Sequence, residues 1–431
     1  MIASAPLAET AERLRTGEVT PAEYFETVRD RVDDVESEIH SFVTEPDWDL
    51  LDGQTTALGD RFPDPAGRPP LFGVPVGVKD IFHVDGYPTR AGTDLPPAAF
   101  DGPQATSVTR LREAGAIVLG KTVTTEFAYM EPGPTRNPHD LDHTPGGSSS
   151  GSAAAVAAGL CPVALGSQTI GSVIRPASFC GIVGYKPSYE RIPIEGVLPL
   201  AESVDHVGAF TQNVEGMALV APILCDDWRT LPEAPETPRI GVPAGPYLDQ
   251  AAPAGRQAFE AQLDALEAAG YEIRQVEVLD DIDRINDRHT DLVAAEAALA
   301  HHQWFETHGD RYAEASAELV RDGRQIDVER LANTRASRIE VREQFDEAMA
   351  KHDIDLWVSP GAPGPAPEGI GDTGNPVMNL PWTHAGMPTL TVPGGSVDGL
   401  PVGLQCTTRF GEDERLLQWG LSIASVVDGA A

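Results

Sequence analysis

Three separated segments of this chain carry residue types that could together perform acyl transfer. The run Phe72-Gly-Val-Pro-Val-Gly-Val-Lys79-Asp-Ile-Phe82 sets a lysine inside apolar sequence that predicts a buried strand. Thr144-Pro-Gly-Gly-Ser148-Ser-Ser-Gly-Ser152 and Gly166-Ser-Gln-Thr-Ile-Gly-Ser172 each supply hydroxyls between glycines. Lysine is scarce here, four residues against 27 arginines, so one kept among valines invites a chemical reason. An ordinary lysine titrates near ~10.4, and desolvation by Val76, Val78, Ile81 and Phe82 would favour its neutral form. A neutral amine can accept a serine proton, which is the Ser/Lys variant of nucleophilic catalysis. Ser172 follows an apolar strand and a Gly-containing turn, so the N–H groups of Thr169, Ile170 and Gly171 can converge beside it as an oxyanion hole. Ser148, in a Gly-flanked stretch able to take unusual backbone geometry, is placed to relay a proton between Ser172 and Lys79.

Two other strings compete and lose on context. Gly115-Ala-Ile-Val-Leu-Gly120-Lys121-Thr122 has the letters of a phosphate-binding loop, but its variable positions are an apolar strand where such a loop needs a flexible turn. Gly147-Ser-Ser149-Ser-Gly151 has the letters of a nucleophile elbow. The residues before it, Asn137-Pro-His-Asp-Leu-Asp-His-Thr-Pro145, are polar and proline-interrupted where an elbow requires a buried strand. A Ser-His-Asp site built there would have His384 as its best available base. Taken singly, a lysine at a strand end is an ordinary solvated flank and a Gly/Ser stretch an ordinary loop. Their joint occurrence carries the reading.

The elements around these segments alternate. Residues 5 to 45 show helical periodicity, with Thr20-Pro21-Ala-Glu23 opening a second helix, and residues 46 to 70, polar and Pro/Gly-rich, read as a connection. Strands are expected at 74–78, 116–119, 162–165, 239–242 and 355–359, and a hairpin at 388–392 with 401–405. Helices are expected at 107–114, 153–159, 216–224, 257–269 and 413–426. The alternation predicts an α/β architecture, one continuous domain over residues 1–431. Within it, residues 281–352 are charged, Ala-rich and helical, and read as an insertion or lid.

Composition narrows the function classes. Acidic residues number 66 against 31 basic, for a formal net charge of −35, which opposes binding to nucleic acid or an anionic membrane. An acidic surface with few lysines suggests a halophilic protein, since concentrated salt screens the self-repulsion. Cys161, Cys180, Cys225 and Cys406 are widely spaced, without metal-ligand spacing, and read as buried free thiols. The N-terminus turns quickly to a charged helical pattern, and no apolar run reaches the ~18 residues of a membrane span. A cytoplasmic protein is the expectation, and a homodimer is compatible with the sequence.

The long strings Gly-Val-Pro-Val-Gly-Val-Lys79-Asp, Thr-Pro-Gly-Gly-Ser148-Ser-Ser-Gly-Ser-Ala-Ala-Ala-Val-Ala-Ala-Gly159, Gly-Ser-Gln-Thr-Ile-Gly-Ser172-Val-Ile-Arg-Pro-Ala-Ser-Phe-Cys-Gly181 and Gly184-Tyr-Lys186-Pro-Ser188 resemble the amidase signature family. The resemblance runs clearly from about residue 71 to 210 and returns weakly at 355–426. It implies a mixed β-sheet core covered by α-helices and a Ser-cisSer-Lys triad: Ser172 nucleophile, Ser148 relay in a cis peptide, Lys79 base. It further implies hydrolysis of a small amide to carboxylate and ammonia through an acyl-serine, with neither metal nor cofactor. Gln168 resembles a malonamidase-like branch, whose members hold a substrate carboxylate with an arginine at the position of Arg175; a structural salt bridge under Pro176 is the competing role. Glu126 and Tyr129 match a segment near the family's active site and are taken as pocket wall. Ile170 departs from the pattern, standing where the family has glycine, and would be strained if its φ were positive. The amidase subunit of a glutamine-dependent tRNA amidotransferase shares the triad, and Gln168, Ile170 and a short C-terminal region disfavour it. A catalytically inactive binding homologue is the reading from a different class.

Overall fold

In the computed structural model, residues 5–231 and 236–428 are described. Ten strands form one sheet: β1 Pro75–Lys79, β2 Ile117–Thr122, β3 Val163–Gln168, β4 Val183–Lys186, β5 His206–Thr211, β6 Ile240–Ala244, β7 Ile273–Glu277, β8 Leu356–Pro360, β9 Thr389–Val397 and β10 Leu400–Thr407, in the order β2-β1-β3-β5-β4-β9-β10-β8-β6-β7. β1 pairs parallel with both β2 and β3, the centre runs antiparallel from β3 through to β8, and β8, β6 and β7 are parallel again. The sheet is therefore mixed, with helices covering it. β1, β2, β3 and β5 are buried along their whole length, which is why they read as continuous apolar runs rather than alternating ones.

The expected elements form, with shifted ends. Thr20 and Glu23 build a full capping box at the start of the helix Pro21–Ile39. The segment 46–70 corrects the sequence reading, since it holds a helix, Trp48–Arg61, started by Asp47, whose side chain accepts the Leu50 N–H at 3.1 Å. Only Leu51 and Thr55 of that helix are buried, so its apolar stripe is too thin to show as periodicity. Strands β4, β5 and β7 are not among those the sequence predicts. β4 is four residues long, β5 contains Gly208 and is buried on both faces, and β7 is an edge strand with the charged sequence IRQVE.

Residues 281–352 are helical as expected, comprising Ile282–Ala300, His302–His308, Glu314–Gly323 and Val328–Lys351. The first of these helices buries His289, Leu292 and Val293 against the rest of the molecule. All four cysteines are buried and unpaired, and no helix among the described residues is long and apolar enough to cross a membrane.

Candidate active site

Parallel pairing of β1 and β3, with Val78 opposite Leu165, brings the C-terminal ends of both strands to one end of the sheet. Lys79 is the last residue of β1 and fully buried. Its Nζ lies 2.7 Å from Ser148 Oγ and 2.8 Å from Ser167 Oγ, both within hydrogen-bonding range. Burial pushes the lysine pKa well below its usual value, against a smaller opposing pull from Asp205. Among the described residues no carboxylate pairs with it, and its burial disfavours the charged form. Ser167 is not among the residues expected from sequence, although the string Gly166-Ser-Gln supplies a hydroxyl one residue before the end of β3.

Ser148 precedes the helix Ser150–Ala157, and the Gly147–Ser148 peptide is cis, as the resemblance implied. That helix packs so closely against the segments at Ser41 and Val123 that a Cβ on Gly151 would come within 2.2 Å of the Ser41 carbonyl oxygen and 2.4 Å of the Val123 nitrogen. Ser172 sits in the turn between β3 and the helix Ile174–Cys180. It is 7 % exposed, and its hydroxyl has no hydrogen-bond partner among the described residues.

The turn itself is tied from outside. Gln168 Oε1 accepts the N–H groups of Val173 and Ile174 at 2.8 and 3.0 Å. Thr169 Oγ1 donates to Asp205 at 2.6 Å, and the Ile170 carbonyl accepts from Thr383 Oγ1 at 2.6 Å. Among the described residues, the N–H groups of Thr169, Ile170, Gly171 and Ser172 meet no acceptor. Unpaired N–H groups grouped at a nucleophile are what an oxyanion hole requires. Ile170 does not have a positive φ, so the strain expected of a β-branched residue at this position is absent. Gly171 is required instead by close approach, since a Cβ there would lie 2.4 Å from Asn379 Oδ1.

The competing strings fail on geometry as well as on context. Lys121 lies within β2 and pairs with Asp80 at 2.7 Å, both groups buried. Ser149 Oγ donates to the Ser167 carbonyl and accepts the Ser167 N–H, at 3.2 and 3.3 Å, so its hydroxyl is engaged. Both ring nitrogens of His384 are engaged too, by His289 and Ser337.

Arg175 is 3 % exposed. Its guanidinium donates to the carbonyls of Gly374 and Gly147, the latter at 2.7 Å, and to Thr373 Oγ1 at 3.2 Å, leaving Nε without an acceptor among the described residues. It thus braces the peptide that precedes Ser148. Arg175→Ala should expose two buried carbonyls to a penalty of about 1–3 kcal/mol each, lowering Tm and reducing turnover of acidic and neutral amides alike. A KM increase confined to an acidic amide such as malonamate would instead assign it to a substrate carboxylate.

Glu126 accepts the Ala313 N–H with both oxygens, at 3.2 and 3.0 Å, anchoring the start of the helix Glu314–Gly323. Tyr129 is half-buried, and burial raises its phenol pKa. It lines a surface cleft with Ala294, Leu319 and Ile326. A separate, largely apolar cavity adjoins Ser167 and Thr169, walled by Ile81, Leu198, Leu200 and Val207, with Asp205 on its edge.

The Amidase family profile matches residues 23–417. This chain belongs to the amidase family. A glutamyl-tRNA(Gln) amidotransferase subunit of Symbiobacterium thermophilum is 31% identical to this amidase over 93% of the chain and 92% of the relative. The AtzE component of the 1-carboxybiuret hydrolase of Pseudomonas sp. (strain ADP) is 33% identical over 78% of the chain and 80% of the relative. Among solved structures, a crystallised amidase superposes with a TM-score of 0.90 at 32% identity, covering 98% of this chain and all (100%) of the other. Peptide amidase from Stenotrophomonas maltophilia superposes at 0.85 and 25% identity, covering 99% and 97%. Family and architecture agree with the resemblance, and the chain is an amidase, a hydrolase of amide C–N bonds.

Proposed function

We propose that this amidase hydrolyses a small uncharged carboxamide to a carboxylate and ammonia through an acyl-Ser172 intermediate. The observation that carries the reading is the buried, carboxylate-free contact of Lys79 with Ser148 at 2.7 Å, a geometry suited to a neutral amine acting as base. In this account Ser172 Oγ attacks the carbonyl carbon while its proton passes through Ser148 to Lys79. The N–H groups of Thr169, Ile170 and Gly171 hold the tetrahedral oxyanion. As the C–N bond breaks, the proton returns through Ser148 to the leaving nitrogen, which departs as ammonia. Water then attacks the acyl carbon and gives its proton along the same path, and Ser172 leaves with a proton restored.

The preference for an uncharged substrate rests on charge. The Arg175 guanidinium bonds backbone carbonyls, and Asp205 stands at the edge of the cavity beside the oxyanion turn. A carboxylate-bearing amide would meet repulsion from Asp205 there, and the Arg175 guanidinium is already engaged by the backbone. Tyr129 and the 281–352 helices are assigned to the approach to the site. The net charge of −35 supports a cytoplasmic enzyme adapted to concentrated salt.

The reading as one component of an amidotransferase has its own support in the 31% identity to such a protein. Length does not separate the two, because the chain covers 92% of that relative. A screen of aliphatic, acidic and amino-acid amides with the isolated chain, in molar and in millimolar KCl and read by ammonia release, tests both. Expected is hydrolysis of neutral amides by the chain alone, with activity and circular dichroism lost at low salt. Ammonia released from glutamine only when a co-purified partner is present would favour the amidotransferase.

A further inference from the structure

The oxyanion turn is held by a buried imidazole pair contributed by distant helices. His289, on the helix Ile282–Ala300, places Nε2 at 3.1 Å from the Thr169 carbonyl oxygen. Its Nδ1 lies 3.1 Å from Nδ1 of His384, whose Nε2 lies 2.8 Å from Ser337 Oγ. Both rings are fully buried (0 % exposed), and desolvation lowers both pKa values, that of His289 to about 4.

Proton counting fixes the directions of these bonds. A carbonyl can only accept, so His289 Nε2 carries the hydrogen, and in the neutral ring its Nδ1 must then accept. In the neutral pair His384 Nδ1 therefore donates and its Nε2 is left as an acceptor, open to the Ser337 hydroxyl, whose one hydrogen is shared between Nε2 and the Thr334 carbonyl. If one extra proton enters the pair, His384 takes it, and the Ser337 hydroxyl turns to the Thr334 carbonyl 2.8 Å away. In both states His289 donates to Thr169.

The recipient of that hydrogen bond matters. The peptide joining Thr169 to Ile170 is a rigid plane whose carbonyl and N–H point in opposite directions. Anchoring the oxygen fixes where the Ile170 N–H is aimed, and a hydrogen bond to the carbonyl also polarises the amide and strengthens its N–H as a donor.

We infer that His289 is a positioning residue for catalysis, holding the Thr169–Ile170 peptide so that the Ile170 N–H faces the oxyanion, with His384 and Ser337 setting its tautomer. This role rests on the acyl-Ser172 reading. It also gives the helix Ile282–Ala300 a part in the chemistry beyond covering the site.

The test compares substitutions at one position. His289→Gln can keep an amide donor near Nε2, whereas His289→Asn reaches only the Nδ1 side and His289→Leu offers no donor. Leu and Asn should lower kcat by about tenfold or more, up to the ~10²–10³-fold that outright loss of an oxyanion donor costs. KM should change by less than threefold, and fluorophosphonate labelling of Ser172 should slow in parallel. Gln should restore kcat to within a few-fold of wild type. If the Leu variant does not fold, the Gln/Asn pair decides alone, because both keep a polar side chain. Equal kcat for Gln and Asn, in either direction, overturns the inference while leaving Ser172 chemistry intact. Absence of a Ser172 adduct in the wild-type enzyme overturns the catalytic reading, and this inference with it.

Discussion

Ser172→Ala is expected to reduce amide turnover by a factor on the order of 10⁶, the scale on which acyl enzymes lose activity without their nucleophile. Its fold should be unaffected, because the Ser172 hydroxyl bonds no described protein group and is partly open to solvent. Ser148→Ala should cost less, since water can take the relay position. Ser149→Ala is expected to act on stability instead. It breaks the two bonds that join Ser149 to the backbone of Ser167, each of a kind worth about 1 kcal/mol. Assay of the three purified variants against one substrate, with melting curves alongside, checks this ordering. Activity ranked Ser149→Ala below Ser172→Ala would reverse it.

Lys79→Met should lower kcat by about 10³-fold or more, combining loss of the base with failure of the unit it serves. Its stability should move the other way. The folded chain holds the Lys79 pKa below that of the unfolded chain, so as pH falls below the usual ~10.4 the unfolded state binds a proton that the folded state does not. Stability is lost over that interval, down to the folded pKa. Methionine fills a similar volume without that penalty, so Tm at neutral pH should be held or raised. Wild-type kcat/KM should fall toward acid pH as Lys79 is protonated, with a midpoint well below 10.5. A profile flat through acid, or a methionine variant that is both active and destabilised, would remove Lys79 from the mechanism.

The contact of Lys79 with Ser148 joins two segments that the sequence singles out, and Ser172 remains the proposed nucleophile. Lys79, Ser148 and Ser172 each sit in a string whose apolar or glycine neighbours state the local structure. The lysine stood out because a cation among valines has few physical explanations. What could not be read was contributed from far along the chain. Arg175 finds its acceptors 28 and 199 residues away, at Gly147 and Gly374, and no local pattern separates that role from a substrate anchor. His289 reaches Thr169 across 120 residues, from a helix whose composition looked only charged and Ala-rich. Ile170 shows the converse: strain was expected from its side chain, and the backbone adopts no positive φ there. The helix Trp48–Arg61 reads as a connection because Leu51 and Thr55 alone give it a buried face.

Ser172, rather than the hydroxyl cluster at 148–150, is expected to form the covalent intermediate. Peptide mapping by mass spectrometry after reaction with a fluorophosphonate distinguishes the two. A single adduct is expected on the peptide containing Ser172, absent from Ser172→Ala and strongly slowed in Lys79→Met. An adduct on Ser149, with Ser172→Ala still active, would contradict it.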